Sequence, residues 1–458
     1  MKGRNGILIA APQSGSGKTL ITCALMQALL NHQHAVCSFK CGPDYIDPMF
    51  HREILSISGG NLDSFFTSEE ETRKLFFQGT RPEDFAVVEG VMGLYDGIGA
   101  KQEAGSSYHL AAILDLPIIL VVDAHGMGRS LLPLIYGFLS YDHLKQIRGI
   151  ILNRVSESYF PVLKEVVEQK FDIEVFGFFP QQKNLHLESR HLGLKRPEEI
   201  QDIKKQLREA AKQLEKYVDI ESVYKAGCEQ VKQAPDVYRI PKEDPMCPVL
   251  AVARDEAFCF YYQENLRMLA DAGFQIVEFS PIHDHKLPEN TEAILLGGGY
   301  PELYADVLAA NRQMRKEIFQ AISRGIPSLA ECGGFMYLHE TLITQEGISY
   351  PMVGILKGTC ENQGKLVRFG YVSIRENKSY FLPEGEEIRG HEFHYYDSVN
   401  NGNDCIAKKP LGDRSWNCIL AGQNHWWGFP HLYYPSNPAF VTHFREAVLA
   451  NKKLQNGD

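Results

Sequence analysis

The sequence predicts an α/β protein built from two doubly wound α/β domains. Three observations support this. Apolar strand-like runs alternate with helical patterns in the first half, the same alternation restarts in the second half, and 458 residues are too many for one ordinary core. In the first half, Ile7 to Pro12, Ala35 to Phe39, Phe85 to Val88, Ile118 to Asp123 and Gly149 to Asn153 read as buried strands. Leu20 to Leu30 and Leu131 to Leu139 read as intervening helices. Apolar residues at helical spacing from Ile200 to Val218 mark an amphipathic helix with a charged outer face. Four prolines and a charge cluster in Ala234 to Pro248 mark the domain boundary. Beyond it come strand Val249–Ala253, helix Phe260–Ala272, strand Ile276–Phe279, strand Ala293–Leu296, helix Ala305–Ser323 and strand Pro327–Ala330. The expected division is 1–196, a helix and linker over 197–247, and 248–458.

Composition excludes several classes of function. With 44% hydrophobic residues, 23% charged residues and a formal net charge of −10, the chain lacks the basic stripe of a nucleic-acid binder and the polarity of a disordered chain. Ten cysteines without framework spacing suit a reducing compartment, hence the cytoplasm. The longest apolar stretch, Leu110 to Val122, contains Asp115 and Pro117, so no membrane role is expected.

Ligands of parallel sheets sit at the carboxyl ends of strands, and the chemistry-bearing residues fall there. After the first strand comes Ser14-Gly15-Ser16-Gly17-Lys18-Thr19. It supplies glycines for close backbone approach, a helix N-terminus for an anion, a lysine for β- and γ-phosphates and a hydroxyl for Mg²⁺. Gly15, Gly17, Lys18 and Thr19 are the expected ATP contacts, although Pro12 stands where the strict motif places a glycine. Phosphoryl transfer also needs acidic groups for the metal. Glu89 closes an apolar strand and joins Thr19 in the expected metal set. Asp47 is the third member, with Asp44 open as an alternative, and both aspartates stand near Lys40 in Lys40-Cys41-Gly42-Pro43-Asp44-Tyr45-Ile46-Asp47-Pro48.

The second half carries Glu331-Cys332-Gly333-Gly334 directly after a strand. A cysteine nucleophile needs an exposed turn, oxyanion donors and a basic partner. A strand-to-helix elbow at Cys332 meets the first need, and the helix N-terminus is expected to lower the thiol pKa. Gly298 and Gly299, after the strand Ala293–Leu296, together with Gly333 are the expected oxyanion donors. His391, His394, His425, His431 and His443 all lie downstream, so spacing alone does not choose the base.

The string FKCGPDYIDPMFH, followed by VEGVMGLYDG and later by Ser189-Arg190-His191-Leu192-Gly193-Leu194, resembles the cobyrinic acid a,c-diamide synthases over nearly the whole chain. Their first domain is similar to dethiobiotin synthetase. The second resembles class I glutamine amidotransferases, in the branch shared with cobyric acid synthase, which implies a flavodoxin-like domain here. The resemblance selects His431 as partner of Cys332. The expected substrate contacts are Lys40, Asp44, Tyr45, Asp96, Arg190 and His191, of which Lys40, Arg190 and His191 supply the local positive charge that a polyanionic substrate needs on a chain of net charge −10. Most class I glutaminases carry a glutamate two residues after the histidine. Tyr433 stands there in this chain, and the resembled branch also lacks the acid.

The resemblance implies ATP- and Mg²⁺-dependent amidation of the a and c carboxylates of cobyrinic acid, with glutamine as nitrogen donor and a homodimer as a possible state. Hydrogenobyrinic acid and nickel-sirohydrochlorin a,c-diamide synthases would share nearly all these features. A partitioning-type ATP switch fused to a non-catalytic glutaminase-like domain is the alternative from another class. Such switches carry a lysine five residues before the loop lysine, where this chain has Gln13.

Overall fold

The strands of the first half are largely buried, and the central ones are rich in Ile, Leu and Val on both faces, as strands covered by helices on each side must be. They form β1 (Asn5–Ala10), β2 (Val36–Cys41), β3 (Gly59–Leu62), β4 (Phe85–Glu89), β5 (Ile118–Asp123), β6 (Ile147–Asn153) and β7 (Glu174–Phe179). All seven pair in parallel in the order β3-β2-β4-β1-β5-β6-β7. Connecting helices are α1 (Lys18–Asn31), α2 (Ile46–Leu55), α3 (Glu69–Gly79), α4 (Ser107–Leu114), α5 (Leu131–Tyr141) and α6 (Phe160–Lys170), followed by α7 (Pro197–Tyr217) and α8 (Ile220–Cys228).

This computed structural model describes residues 4–181, 197–228 and 247–456. Arg190 and His191 therefore lie outside the described residues. By internal contacts the chain divides into Met1–Tyr238 and Arg239–Asp458.

α1 is buried almost all round because β-strands lie on one side and α7 on the other. α7 buries Ile203, Leu207, Ala210, Ala211 and Leu214, and Asn31 of α1 donates to its Glu215 at 2.8 Å. The amphipathic helix placed with the linker by the sequence reading thus belongs to the first unit.

The second unit has its own core. It contains β8 (Val249–Ala253), α9 (Gln263–Asp271), β9 (Gln275–Phe279), β10 (Thr291–Leu296), α10 (Ala305–Ala310), α11 (Arg312–Ser323), β11 (Ser328–Glu331) and α12 (Gly333–Leu338). The expected single helix Ala305–Ser323 is broken at Asn311. Its side-chain oxygen accepts the Met314 N–H at 3.3 Å and so caps α11, while its amide donates to the carbonyls of Pro281 and Asp284. The chain continues through β12 (His339–Ile343), β13 (Ser349–Pro351), β14 (Leu356–Asn362), β15 (Arg368–Glu376), β16 (Glu387–His394), β17 (Tyr396–Ser398), β18 (Cys405–Lys408), β19 (Ser415–Cys418), β20 (Leu420–Gly422), β21 (His425–Gly428), β22 (His431–Leu432) and α13 (Ala439–Asn456).

The main sheet runs β9-β8-β10-β11-β21-β20. Its first five strands are parallel, and the last pair is antiparallel. Numbered along that sheet, the parallel strands follow the 2-1-3-4-5 order of flavodoxin-like folds. Two smaller sheets, β13-β12-β14-β17 and β19-β18-β15-β16-β22, complete the unit. The second delivers β22, and with it His431.

Candidate active sites

In the first unit, β1 runs into the phosphate loop and α1 begins at Lys18. Gly15 (φ 80°) and Gly17 (φ 87°) hold left-handed backbone that a side chain would strain. At Gly17 space is also lacking, since a Cβ would stand 2.3 Å from the Asn153 amide nitrogen. That amide donates to the Ser16 carbonyl at 2.8 Å, and Arg154 donates to the Gly15 carbonyl at 2.9 Å while pairing with Asp123 at 2.9 Å. The end of β6 therefore shapes the loop from outside.

Strand register sets the remaining groups. Glu89 lies opposite Ile9 of β1 and opposite Lys40 of β2. Its Oε1 accepts the Thr19 hydroxyl at 2.6 Å and the Lys40 ammonium at 2.9 Å, while Oε2 stands 3.4 Å from the His51 Nε2. Lys40 also pairs with Asp47 at 2.5 Å. All four charged or ionisable partners are buried. Burial opposes ionisation of Glu89, but Lys40, His51 and Thr19 outweigh it and hold the carboxyl well below its usual range. For Asp47, burial and the Glu89 charge outweigh Lys40 and raise the carboxyl to about 7. Burial and Lys40 push the Lys18 ammonium down. Lys18 donates to the Met92 carbonyl at 2.5 Å, a contact offered by the loop after β4.

Lys18, Thr19, Lys40, Asp47 and Glu89 therefore come together at one sheet edge. The other two candidate aspartates use their carboxylates locally. Asp44 accepts the Ile46 N–H at 2.8 Å at the start of α2, beside Tyr45, and Asp96 accepts the Gly93 N–H at 2.9 Å. Thr19 and Glu89 are hard oxygen donors of the kind Mg²⁺ takes. The Asp47 carboxylate pairs with Lys40, as Glu89 does. His51, Asn153 and Arg154 were not singled out. His51 lies one helical turn beyond Asp47, and the strand-end rule that picked Glu89 also picks Asn153.

In the second unit, Cys332 is an elbow between β11 and α12, with φ 47° and ψ −103°. Such backbone is strained for a residue with a Cβ and persists only where its surroundings fix it. The Cys332 N–H donates to Gly428 and its carbonyl accepts from Met336, while Gly334 donates to Gly297. Glycines are required here by contact. A Cβ at Gly334 would stand 2.1 Å from the Leu296 carbonyl, and one at Gly333 would stand 3.1 Å from the Gly299 nitrogen. A Cβ at Gly298 would meet the His431 ring at 2.3 Å. The Gly297–Gly299 turn thus has the helix that follows Cys332 on one side and the His431 imidazole on the other. Tyr261, also missed, braces this turn by accepting the Gly297 N–H at 2.9 Å and donating to the Ala253 carbonyl.

The expected exposed, acidified thiol is corrected by the structure. Cys332 is 7% exposed. Burial, with the nearby carboxyls of Glu302, Glu392 and Glu331, raises the thiol, and the Gly333 N–H offsets only part of this. His431 is pushed down to about 3 by burial and by His391 and His394. Both shifts favour the neutral forms of the two side chains. Glu331, immediately before Cys332, is raised by burial to about 8 and accepts from Tyr434 Oη at 3.0 Å and from the Leu432 N–H at 3.4 Å. Tyr433 is buried edge-on against Tyr262.

Residues 7–194 match the CobQ/CobB/MinD/ParA nucleotide binding domain, and residues 249–414 match the CobB/CobQ-like glutamine amidotransferase domain. The chain is 39% identical to the cobyrinate a,c-diamide synthase of Caldanaerobacter subterraneus over 93% of this chain and 94% of that one. It is 38% identical to the enzyme of that name from Clostridium acetobutylicum over 95% of this chain and 99% of that one. With the Gloeobacter violaceus protein of the same name, identity is 42% over 85% of each chain.

Proposed function

This chain belongs to the cobyrinate a,c-diamide synthase family, the glutamine-dependent ligases of cobalamin biosynthesis; from that premise we propose how its two sites divide the reaction. In the first unit, MgATP and cobyrinic acid meet at the ends of β1, β2 and β4. A substrate carboxylate oxygen attacks the γ-phosphorus and ADP leaves. Lys18 and the loop amides hold the phosphates, and Lys40 is poised by Glu89 and Asp47 to stabilise charge on the reacting oxygens. Magnesium, when bound, neutralises phosphate charge; Thr19 and Glu89 are the residues that fit it. Asp44, Tyr45 and Asp96 contact the tetrapyrrole.

In the second unit, Cys332 Sγ attacks the glutamine amide carbon as its proton passes to His431. The oxyanion is met by N–H groups of the Gly298–Gly299 turn and Gly333. His431 returns the proton to the leaving ammonia, and water then releases glutamate from the thioester. The ammonia attacks the acyl phosphate, phosphate departs, and an amide remains. Two such cycles give the a,c-diamide.

What most supports this reading is similarity over nearly the full length of the relatives combined with both constellations intact on one chain. A non-catalytic glutaminase-like domain would have no need to hold a cysteine at a strained elbow. To test substrate identity, ATP hydrolysis by purified protein is measured with cobyrinic acid, hydrogenobyrinic acid and nickel-sirohydrochlorin. Strong stimulation by cobyrinic acid is expected. Stimulation by another tetrapyrrole alone would reassign the substrate.

His431→Ala is expected to abolish glutamine hydrolysis, whereas Tyr433→Phe keeps measurable activity because no acid acts from that position. Labelling of Cys332 by a glutamine-analogue electrophile checks both. Normal labelling in His431→Ala would exclude His431 as the base.

A further inference from the structure

With tyrosine two residues after His431, no carboxylate on that strand orients the imidazole. The backbone around it is instead gripped by buried side chains from two other elements. Glu331, on the last residue of β11 and adjacent to the nucleophile, receives the Leu432 N–H at 3.4 Å and Tyr434 Oη at 3.0 Å. Asn265 of α9 donates to the Leu432 carbonyl at 2.8 Å and receives the Tyr434 N–H at 2.8 Å. On the opposite side, β22 pairs with β16, His391 opposite His431, and the Tyr433 N–H donates to the Arg389 carbonyl at 2.9 Å. Both clamp residues are buried, with Glu331 at 7% and Asn265 at 6% exposure.

We propose that Glu331 and Asn265 are positioning residues for His431, fixing residues 432–434 so that the imidazole is held against the Gly298 turn without an acid of its own strand. Glu331 has a second consequence of place. It is covalently next to Cys332, so one side chain ties the nucleophile's strand to the base's strand, and the two catalytic groups keep one spacing. Burial favours the protonated form of this carboxyl and raises it to about 8. It therefore acts through hydrogen bonds rather than through charge on the imidazole, unlike the ionised acid of a triad. A displacement of about an ångström at such a site commonly costs about a hundredfold in rate.

The proposal rests on the reading that this unit hydrolyses glutamine. If the unaltered protein hydrolyses none, that reading fails before the clamp is tested. Given a glutamine-hydrolysing protein, three variants decide the clamp: Tyr434→Phe, which deletes one hydrogen bond with almost no change of volume, Glu331→Ala and Glu331→Gln. Glutamine hydrolysis is expected to lose about tenfold in kcat in Tyr434→Phe and about a hundredfold in Glu331→Ala, with the Michaelis constant for glutamine little changed. Glu331→Gln is expected to regain most of the rate, because its amide can accept from Leu432 and donate to the tyrosine hydroxyl. Synthesis from ammonium salts should persist in all three. An unchanged kcat in both Tyr434→Phe and Glu331→Ala would overturn the proposal. So would a loss carried by the Michaelis constant, or an equal fall in the ammonia-dependent rate, which would assign these residues to general stability.

Discussion

Replacing Cys332 by serine is expected to abolish amidation from glutamine while leaving amidation from ammonium salts. The substitution keeps the size of the side chain, so the elbow at φ 47° and its backbone bonds to Gly428 and Met336 should survive. A serine hydroxyl in the same buried setting is a far poorer nucleophile. Loss of a nucleophile of this kind costs on the order of ten-thousandfold or more. Ammonia supplied from solution bypasses the step, because the proposed activation of the carboxylate takes place at the phosphate loop of the other unit. The measurement is diamide formation with each nitrogen source. Loss of both activities in a folded, ATP-binding variant would contradict the division of labour.

The second large effect is expected at the nucleotide site. Lys18→Ala and Glu89→Gln should each stop amidation with either nitrogen source, by about a hundredfold or more. Lys18 is the cation proposed for the phosphates. Its burial, which already depresses its pKa, means that no water replaces it well. Glu89→Gln keeps shape but removes the charge that Thr19, Lys40 and His51 are arranged around. Lys40 would be left with Asp47 alone, and removing one member of a buried charge pair typically costs about 3–5 kcal/mol of stability. Thermal midpoints must therefore be recorded with the rates. A folded variant with near-normal ammonia-dependent synthesis would refute the ATP assignment.

Much of this was legible in the sequence because parallel sheets concentrate chemistry at strand ends. Glu89, Lys40 and the phosphate loop lie at carboxyl ends of neighbouring strands, so finding the apolar runs located them. The Gly298 and Gly333 elements were legible because each glycine occupies a place where a Cβ would collide. What escaped notice depends on tertiary closure. The grip of Asn265 on residues 432–434 joins positions 167 and 169 residues apart, which no local pattern reveals. The acidified thiol was misjudged for a related reason. Helix termini are visible in sequence, but the depth of burial that outweighs them is not. The break at Asn311 came from a side chain bonding to carbonyls of a distant loop, which overrode a continuous helical pattern.

In the proposed reaction one site converts a carboxylate to an acyl phosphate and the other feeds it glutamine nitrogen. Its most direct test uses cobyrinic acid with heavy oxygen in its carboxylates together with glutamine carrying heavy nitrogen in its amide. The account predicts one heavy oxygen in inorganic phosphate for each amide formed, with heavy nitrogen in both new amides. Diamide formed without transfer of carboxylate oxygen to phosphate would contradict it.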